Sequence, residues 1–105
     1  MKILENAFTQ PDSDVLVDTA QAKIEQIKLS EDLSMSTITI HGMQEYTFTT
    51  RSGILTTQVG AGTITSGSEQ TDLNLFNKIA LSRGERVTLN NPQAIPLILN
   101  FISTN

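Results

Sequence analysis

The side chains that could carry chemistry in this sequence are few, and His41 is the only histidine among them. A catalytic or metal-binding histidine needs a second ligand or a partner acid, and the chain has no cysteine and no other histidine to serve. His41 precedes Gly42, so we interpret it as a residue at a strand end beside a turn. We therefore predict no metal site around it.

Three aspartates, Asp12, Asp14 and Asp18, have a spacing that begins like a calcium-binding loop. Such a loop would continue with an oxygen ligand at its fifth position and a glutamate at its twelfth. Leu16 and Lys23 occupy those positions, and neither can bind calcium through its side chain. We interpret the aspartates as turn and cap residues.

The spacing of Gly62 and Gly67 resembles the start of a phosphate-binding loop. That motif continues with Lys and then Ser or Thr, whereas Ser68 and Glu69 follow here. Ser66 is followed by Gly67, but it lacks the Gly-x-Ser-x-Gly context of a nucleophile elbow. These motifs predict no catalytic residue and no cofactor, so we expect a protein that is not an enzyme.

The charge of the chain argues against nucleic acid as a partner. The formal net charge is −4, and residues 1–50 hold 8 acidic side chains against 3 basic ones. An acidic surface repels phosphate, and no basic stripe interrupts it. No apolar stretch approaches the roughly 18 residues of a membrane span, and no signal-peptide core is visible after Met1. We expect a protein made in the cytoplasm that binds no membrane.

Alternating apolar and polar residues predict an antiparallel β protein with at most one short helix. Ile, Val and Thr, which suit a pleated surface, make up 11, 4 and 14 of the 105 residues. The segment 20–29 fits a thin helical stripe or a strand with a bulge, and we favour the strand. The other predicted strands are 15–17, 35–40, 46–49, 54–59, 73–81, 85–89 and 95–103.

The segment 95–103 is apolar on both faces, because Leu97 and Leu99 alternate with Ile98 and Ile102. We expect it to be central in the core or buried at a subunit interface. Ile38, Leu97 and Leu99 are predicted core residues. A chain of 105 residues is long enough for one hydrophobic core, so residues 1–105 are predicted to form a single β domain.

Two segments stand outside this pattern and are the predicted partner-binding elements. Residues 1–10 form a candidate N-terminal arm, and residues 60–72, rich in glycine and hydroxyl side chains, are predicted to be a flexible loop. The predicted partner-binding residues are Ile3, Leu4, Phe8, Gly60, Gly62 and Gly67.

Three segments together resemble a layout of small tailed-bacteriophage virion proteins: Lys23-Ile-Glu-Gln-Ile-Lys-Leu-Ser30, the strand 37–40, and Leu75-Phe-Asn-Lys-Ile-Ala-Leu-Ser-Arg-Gly-Glu-Arg-Val-Thr-Leu89. The resemblance covers residues 22–103 and implies an antiparallel β-sandwich of jelly-roll or immunoglobulin-like type. Similar runs occur in cupin-like domains, but this chain lacks the metal-binding histidines of functional cupins.

The resemblance also implies a function, a partner and a location. We expect a structural virion protein, a capsid decoration or cement protein that stabilises a bacteriophage head. Its expected partners are copies of itself, as a homotrimer, and the major capsid protein or another virion protein. The alternative is a glycan- or protein-binding module of a tail or cell-surface assembly.

Overall fold

The computed structural model describes residues 14–104, and these form a two-sheet antiparallel β-sandwich without a helix. The predicted fold class is therefore confirmed. Ten strands follow one another along the described chain: β1 Asp14–Asp18, β2 Ala22–Lys28, β3 Leu33–Ile40, β4 Glu45–Thr49, β5 Gly53–Val59, β6 Gly62–Ser66, β7 Glu69–Leu73, β8 Lys78–Leu81, β9 Arg86–Asn90 and β10 Leu97–Thr104.

The strands divide into a sheet of six and a sheet of four. The order in the larger sheet is β1-β2-β3-β10-β5-β8, and in the smaller sheet it is β4-β9-β6-β7. Every pair is antiparallel. β10 thus lies in the middle of the larger sheet, between β3 and β5, as its two apolar faces predict.

The core lies between the two sheets, and its main cluster is aliphatic except for Phe101. Strand alternation turns Ile38, Leu97 and Leu99 inward, and each is at most 1% exposed. Val87 and Leu89 of the smaller sheet pack into the same cluster. The three predicted core residues are confirmed.

The ambiguous segment 20–29 contains strand β2, so the strand interpretation is confirmed. Its register against β3 is continuous, with Ile24 opposite Ile38 and Ile27 opposite Met35. The bulge predicted for this segment is therefore wrong, and a register shift occurs in β1, between Val15 and Val17. Ile24 therefore faces the core, and Ile27 faces the other side of the sheet.

The prediction of a flexible loop over residues 60–72 is wrong. This segment forms the hairpin β6–β7, in which Ile64 pairs with Thr71 and Ser66 with Glu69. Strand β6 also pairs with β9, which secures the hairpin to the smaller sheet. Polar side chains are tolerated here, because β7 is an edge strand whose first four residues are all exposed. The predicted strand 73–81 is also divided, since a turn at 74–77 separates β7 from β8.

Candidate functional site

Five connections between strands meet at one end of the sandwich. The register places Ile40 beside Leu97, and Ile98 beside Val59, so the loops that follow or precede these residues share one end. Because Thr56, near the end of β5, pairs with Lys78 at the start of β8, the turn before β8 lies at this end as well. The connections at this end are residues 19–21, 41–44, 60–61, 74–77 and 91–96.

The two ends of the sandwich differ in charge. None of those five connections contains Asp, Glu, Lys or Arg, and we call this the uncharged end. The connections at the opposite end, residues 29–32, 50–52, 67–68 and 82–85, form what we call the charged end. Its charged residues are Glu31, Asp32, Arg51, Arg83 and Glu85.

Large apolar side chains protrude from the uncharged end. Phe76 is 73% exposed and Met43 is 69% exposed, the two highest values among the large apolar residues that the structure describes. Ile95, Leu75 and Val59 are also exposed. Exposed apolar groups on connections that lack charged residues are typical of the centre of a protein–protein interface, where Phe and Met are enriched and Lys, Glu and Asp are depleted.

Met43 and Phe76 also share an unusual backbone conformation. Their φ angles are +63° and +65°, and they are the non-glycine residues of the described chain with positive φ. The left-handed region costs a bulky residue about 1–2 kcal/mol. Backbone hydrogen bonds hold both residues there, from Met43 N–H to Gln93 O at 2.8 Å and from Phe76 N–H to Thr57 O at 3.0 Å. Strain of this kind concentrates at binding and catalytic sites.

Asn91 organises the loops around Met43. Its side chain is 1% exposed, and its Nδ2 faces the carbonyl oxygens of Ile95 at 2.8 Å, Ile40 at 3.0 Å and His41 at 3.2 Å. Its Oδ1 accepts the N–H of Gln93 at 3.1 Å. One buried amide therefore joins the loop after β3 to the loop before β10.

The predicted partner-binding glycines lie at both ends of the sandwich and do not form one patch. Gly60 and Gly62 belong to the uncharged end, where a Cβ on Gly62 would clash with Asn90 O and one on Gly60 would lie 3.0 Å from Pro96 O. The close approach of a neighbouring backbone explains why glycine occupies both positions. Gly67, with φ +59°, forms the turn of the β6–β7 hairpin at the charged end. Ile3, Leu4 and Phe8 lie outside the described residues.

The interior between the sheets contains a cluster of packed apolar side chains. Thirteen buried apolar residues from both sheets form its cluster. The described residues contain no group of three or more His, Cys, Asp or Glu that could hold a metal ion. His41 lies beyond the end of β3, and its N–H donates to Gln21 O at 2.9 Å. It occupies a strand end beside a turn, as the sequence predicts.

One polar atom of the interior is unsatisfied. Thr57 is 0% exposed, and its Oγ1 has no hydrogen-bond partner in the described part of the protein. The residue pairs with Leu99 at the centre of the larger sheet. An unpaired buried hydroxyl lowers stability, because it has lost its hydrogen bonds to water and gained none in the protein.

Tyr46 and Phe48 lie on one face of β4 with their ring centroids 5.9 Å apart and their planes at 24°. Both are partly buried against the core cluster, so the pair contributes to packing. Phe76 is exposed, and no second aromatic ring packs against it among the described residues. No paired aromatic platform of the kind that binds sugars is formed by these residues.

Comparison with known proteins finds solved structures that share the fold of this chain. No family model and no curated protein matches the sequence. A protein of unknown function from Rhizobium leguminosarum superposes with a TM-score of 0.72 at 12% identity, over 83% of each chain. A cupin-2 domain of Rru_A2000 from Rhodospirillum rubrum gives 0.72 at 8% identity, over 91% of this chain and 71% of that one. The cupin domain of Cnp3 from Schizosaccharomyces pombe gives 0.68 at 14% identity, over 86% and 66%.

At such low identity these likenesses show the fold alone. They place the sandwich near the cupin type, one of the jelly-roll arrangements. The part of the chain that the structure describes also contains no helix that could cross a membrane.

Proposed function

We propose that this protein is a structural accessory subunit that attaches through its uncharged end to an apolar surface of another protein. The observation that supports the proposal most strongly is the contrast between the two ends. One end presents Met43, Phe76 and Ile95 with no charge in its connections, and the other carries five charged residues. A role of this kind requires surface complementarity and needs no reactive group.

The narrower proposal comes from the sequence resemblance: the subunit decorates a bacteriophage head, and the other protein is the major capsid protein. The core cluster supports an assembly role, since its thirteen buried side chains are apolar and carry no reactive group. The partial burial of Tyr46 and Phe48 favours a protein partner over a glycan, because a sugar platform needs exposed rings.

The lack of charged residues in the connections of the uncharged end predicts how attachment responds to salt. Ion pairs between exposed groups weaken as salt rises, and at about 1 M the screening length falls to about 3 Å. Apolar contacts are not screened in this way. We expect the protein to remain on its particles at high salt, whereas attachment through the acidic N-terminal half to a basic patch would be lost.

The test uses virions purified on a density gradient, with the copy number of the chain measured by mass spectrometry. We expect Phe76→Ser and Met43→Ser to reduce the copy number strongly. Arg51→Ser, an exposed change at the charged end, is the matched control and should attach normally. A photoreactive phenylalanine analogue at position 76 should cross-link to the shell subunit, and the same analogue at position 51 should not.

Two results would overturn the proposal. The first is absence of the wild-type chain from purified virions. The second is full occupancy by the Phe76→Ser and Met43→Ser variants, which would locate the contact elsewhere.

A further inference from the structure

The outer face of the larger sheet, which points away from the core, carries three rows of side chains that run across the strands. The middle row is polar and consists of Glu25, Thr37, Asn100, Thr56 and Lys78, each paired with the next. A second row beside it is apolar: Ile27, Met35, Ile102, Ile54 and Ala80. The third contains Lys23, Thr39, Ile98 and Val59.

This face is partly apolar, and its side toward β5 and β8 is open, whereas Ile27 on β2 is only 6% exposed. Ile54 is 49% exposed and Ile102 is 46% exposed. Two shallow depressions of about 330 and 340 Å³ lie on it. The first extends over Thr37, Ile98 and Asn100, and the second lies between Ile102 and Lys78.

The two ends of the polar row carry opposite charges, and its centre is the middle strand β10. Glu25 lies on β2, two strands to one side, and Lys78 lies on β8, two strands to the other. At about 4.8 Å per strand, the two are about 19 Å apart across the sheet. Oε1 of Glu25 lies 3.4 Å from Nζ of Lys23, and the Glu25 side chain is 29% exposed. Lys78 has no ion-pair partner among the described residues.

We propose that this outer face binds the same face of a second copy about a two-fold axis that runs along β10. A rotation about that axis exchanges the two sides of the sheet. Glu25 then lies over Lys78 of the second copy, and Lys78 over Glu25 of that copy. A two-fold interface requires this self-complementarity, in which residue i meets j and j meets i.

The same axis makes the other rows complementary. Asn100 meets Asn100 of the second copy, and Ile102 meets Ile102, at the axis itself. Met35 of one copy lies over Ile54 of the other, which covers the depression beside Ile102. Sheets that pack face to face lie about 10 Å apart and within about 30° of parallel, which allows side chains of this length to meet.

The area of the contact sets its expected strength. Five strands and three rows cover roughly 24 by 20 Å in projection. This is smaller than the roughly 800 Å² per partner of a standard stable interface. We therefore expect a dimer in concentration-dependent equilibrium, with a Kd in the micromolar range, in place of the homotrimer that the sequence resemblance implies.

The test is multi-angle light scattering of the full chain over a range of concentrations up to about 500 µM, well above a micromolar Kd. Glu25→Lys and Lys78→Glu each turn two attractive pairs into repulsive ones, so each should weaken the dimer about tenfold or more. The double variant Glu25→Lys/Lys78→Glu recreates both pairs with exchanged signs and should restore the dimer. Arg86→Glu, on the outer face of the smaller sheet, is the control and should have no effect.

A second measurement locates the axis. The chain has no cysteine, so Asn100→Cys introduces a single thiol. A short bis-maleimide should link two copies through position 100 efficiently, and through Arg86→Cys only slowly. Circular dichroism checks that each variant is folded.

Three outcomes would overturn the inference. One is a wild-type chain that stays monomeric at about 500 µM. Another is a dimer that the single charge reversals do not weaken or that the double variant does not restore. The third is a monomer that becomes a dimer when residues 1–13 are removed, which would show that this segment covers the face. Each result is independent of particle attachment, which is measured with the Phe76 and Met43 variants.

Discussion

Ser66 donates its hydroxyl hydrogen to Oε2 of Glu85 across 2.6 Å, which joins the β6–β7 hairpin to the turn between β8 and β9. The other carboxylate oxygen, Oε1, accepts the N–H of Ser82 at 3.0 Å. Both bonds favour the charged carboxylate and lower the pKa of Glu85 below its ordinary value of 4.5. The segment that the sequence predicts to be a loop is therefore held at its tip by a charge-assisted hydrogen bond.

This bond predicts a dependence of stability on pH. A carboxyl group whose pKa is lowered by folding stabilises the folded state above its unfolded pKa, and that contribution disappears as pH falls through the folded value. We expect Glu85→Gln to be less stable than wild type at about pH 7, and the difference to shrink below about pH 4.5. Thermal unfolding of both proteins across this range measures it. A difference that is constant with pH would contradict the assignment.

Asn91 is expected to tolerate no isosteric replacement. Asn91→Asp would place carboxylate oxygens against the carbonyls of Ile40 and Ile95, which now receive hydrogen bonds from the amide. Leaving buried polar groups unpaired costs about 1–3 kcal/mol each, and more for a charge. We expect Asn91→Asp to be more destabilising than Asn91→Ala at neutral pH in urea unfolding. Equal losses would show that the amide hydrogens contribute little.

Two buried threonines are expected to respond in opposite directions to the same change. Thr57 Oγ1 has no partner in the described chain, whereas Thr50 Oγ1 donates to Ser82 O at 2.6 Å. Replacement by valine keeps the shape of the side chain and removes the hydroxyl. We expect Thr57→Val to raise the free energy of unfolding by about 1 kcal/mol and Thr50→Val to lower it by about 1–2 kcal/mol. Destabilisation by Thr57→Val would indicate a buried water on that hydroxyl.

Substitutions of Phe76 are expected to affect stability and attachment to particles differently. Glycine adopts positive φ without steric cost, whereas alanine retains the strain of the left-handed region. Phe76→Gly should therefore exceed Phe76→Ala in the free energy of unfolding by about 1 kcal/mol, and both should attach poorly to particles. Equal stability of the two variants would mean that the backbone relaxes out of this conformation when the ring is removed.

The strands that can be predicted from the sequence are those with a clear pattern of apolar residues along the strand. The segment 35–40 lies within β3, and the two apolar faces of 95–103 correctly indicate the middle of a sheet. The hairpin β6–β7 escapes detection because only Ile64 and Leu73 in it are buried, and two apolar residues give no periodic signal. Its glycines are compatible with a loop and equally with close backbone packing.

The candidate sites depend on relationships that a single sequence does not display. Met43 and Phe76 come from different loops, and only the order of the strands places those loops at one end. Glu25 and Lys78 are recognisable as ends of one row only when the register across five strands is known. One signal is present in the sequence: residues 41–44 and 91–96 contain no charged residue, although both segments connect strands.

The position of β10 has a consequence for how the protein is made. β10 is the last of the ten strands to leave the ribosome, yet it joins β3 to β5. A nascent chain that ends before it holds two separate pieces, β1-β2-β3 and β5-β8, each with an unpaired edge. Such edges are sites of wrong pairing, and pairing between residues distant in sequence is slow. The larger sheet therefore closes only once β10 has been synthesised, and until then the nascent chain is exposed to aggregation.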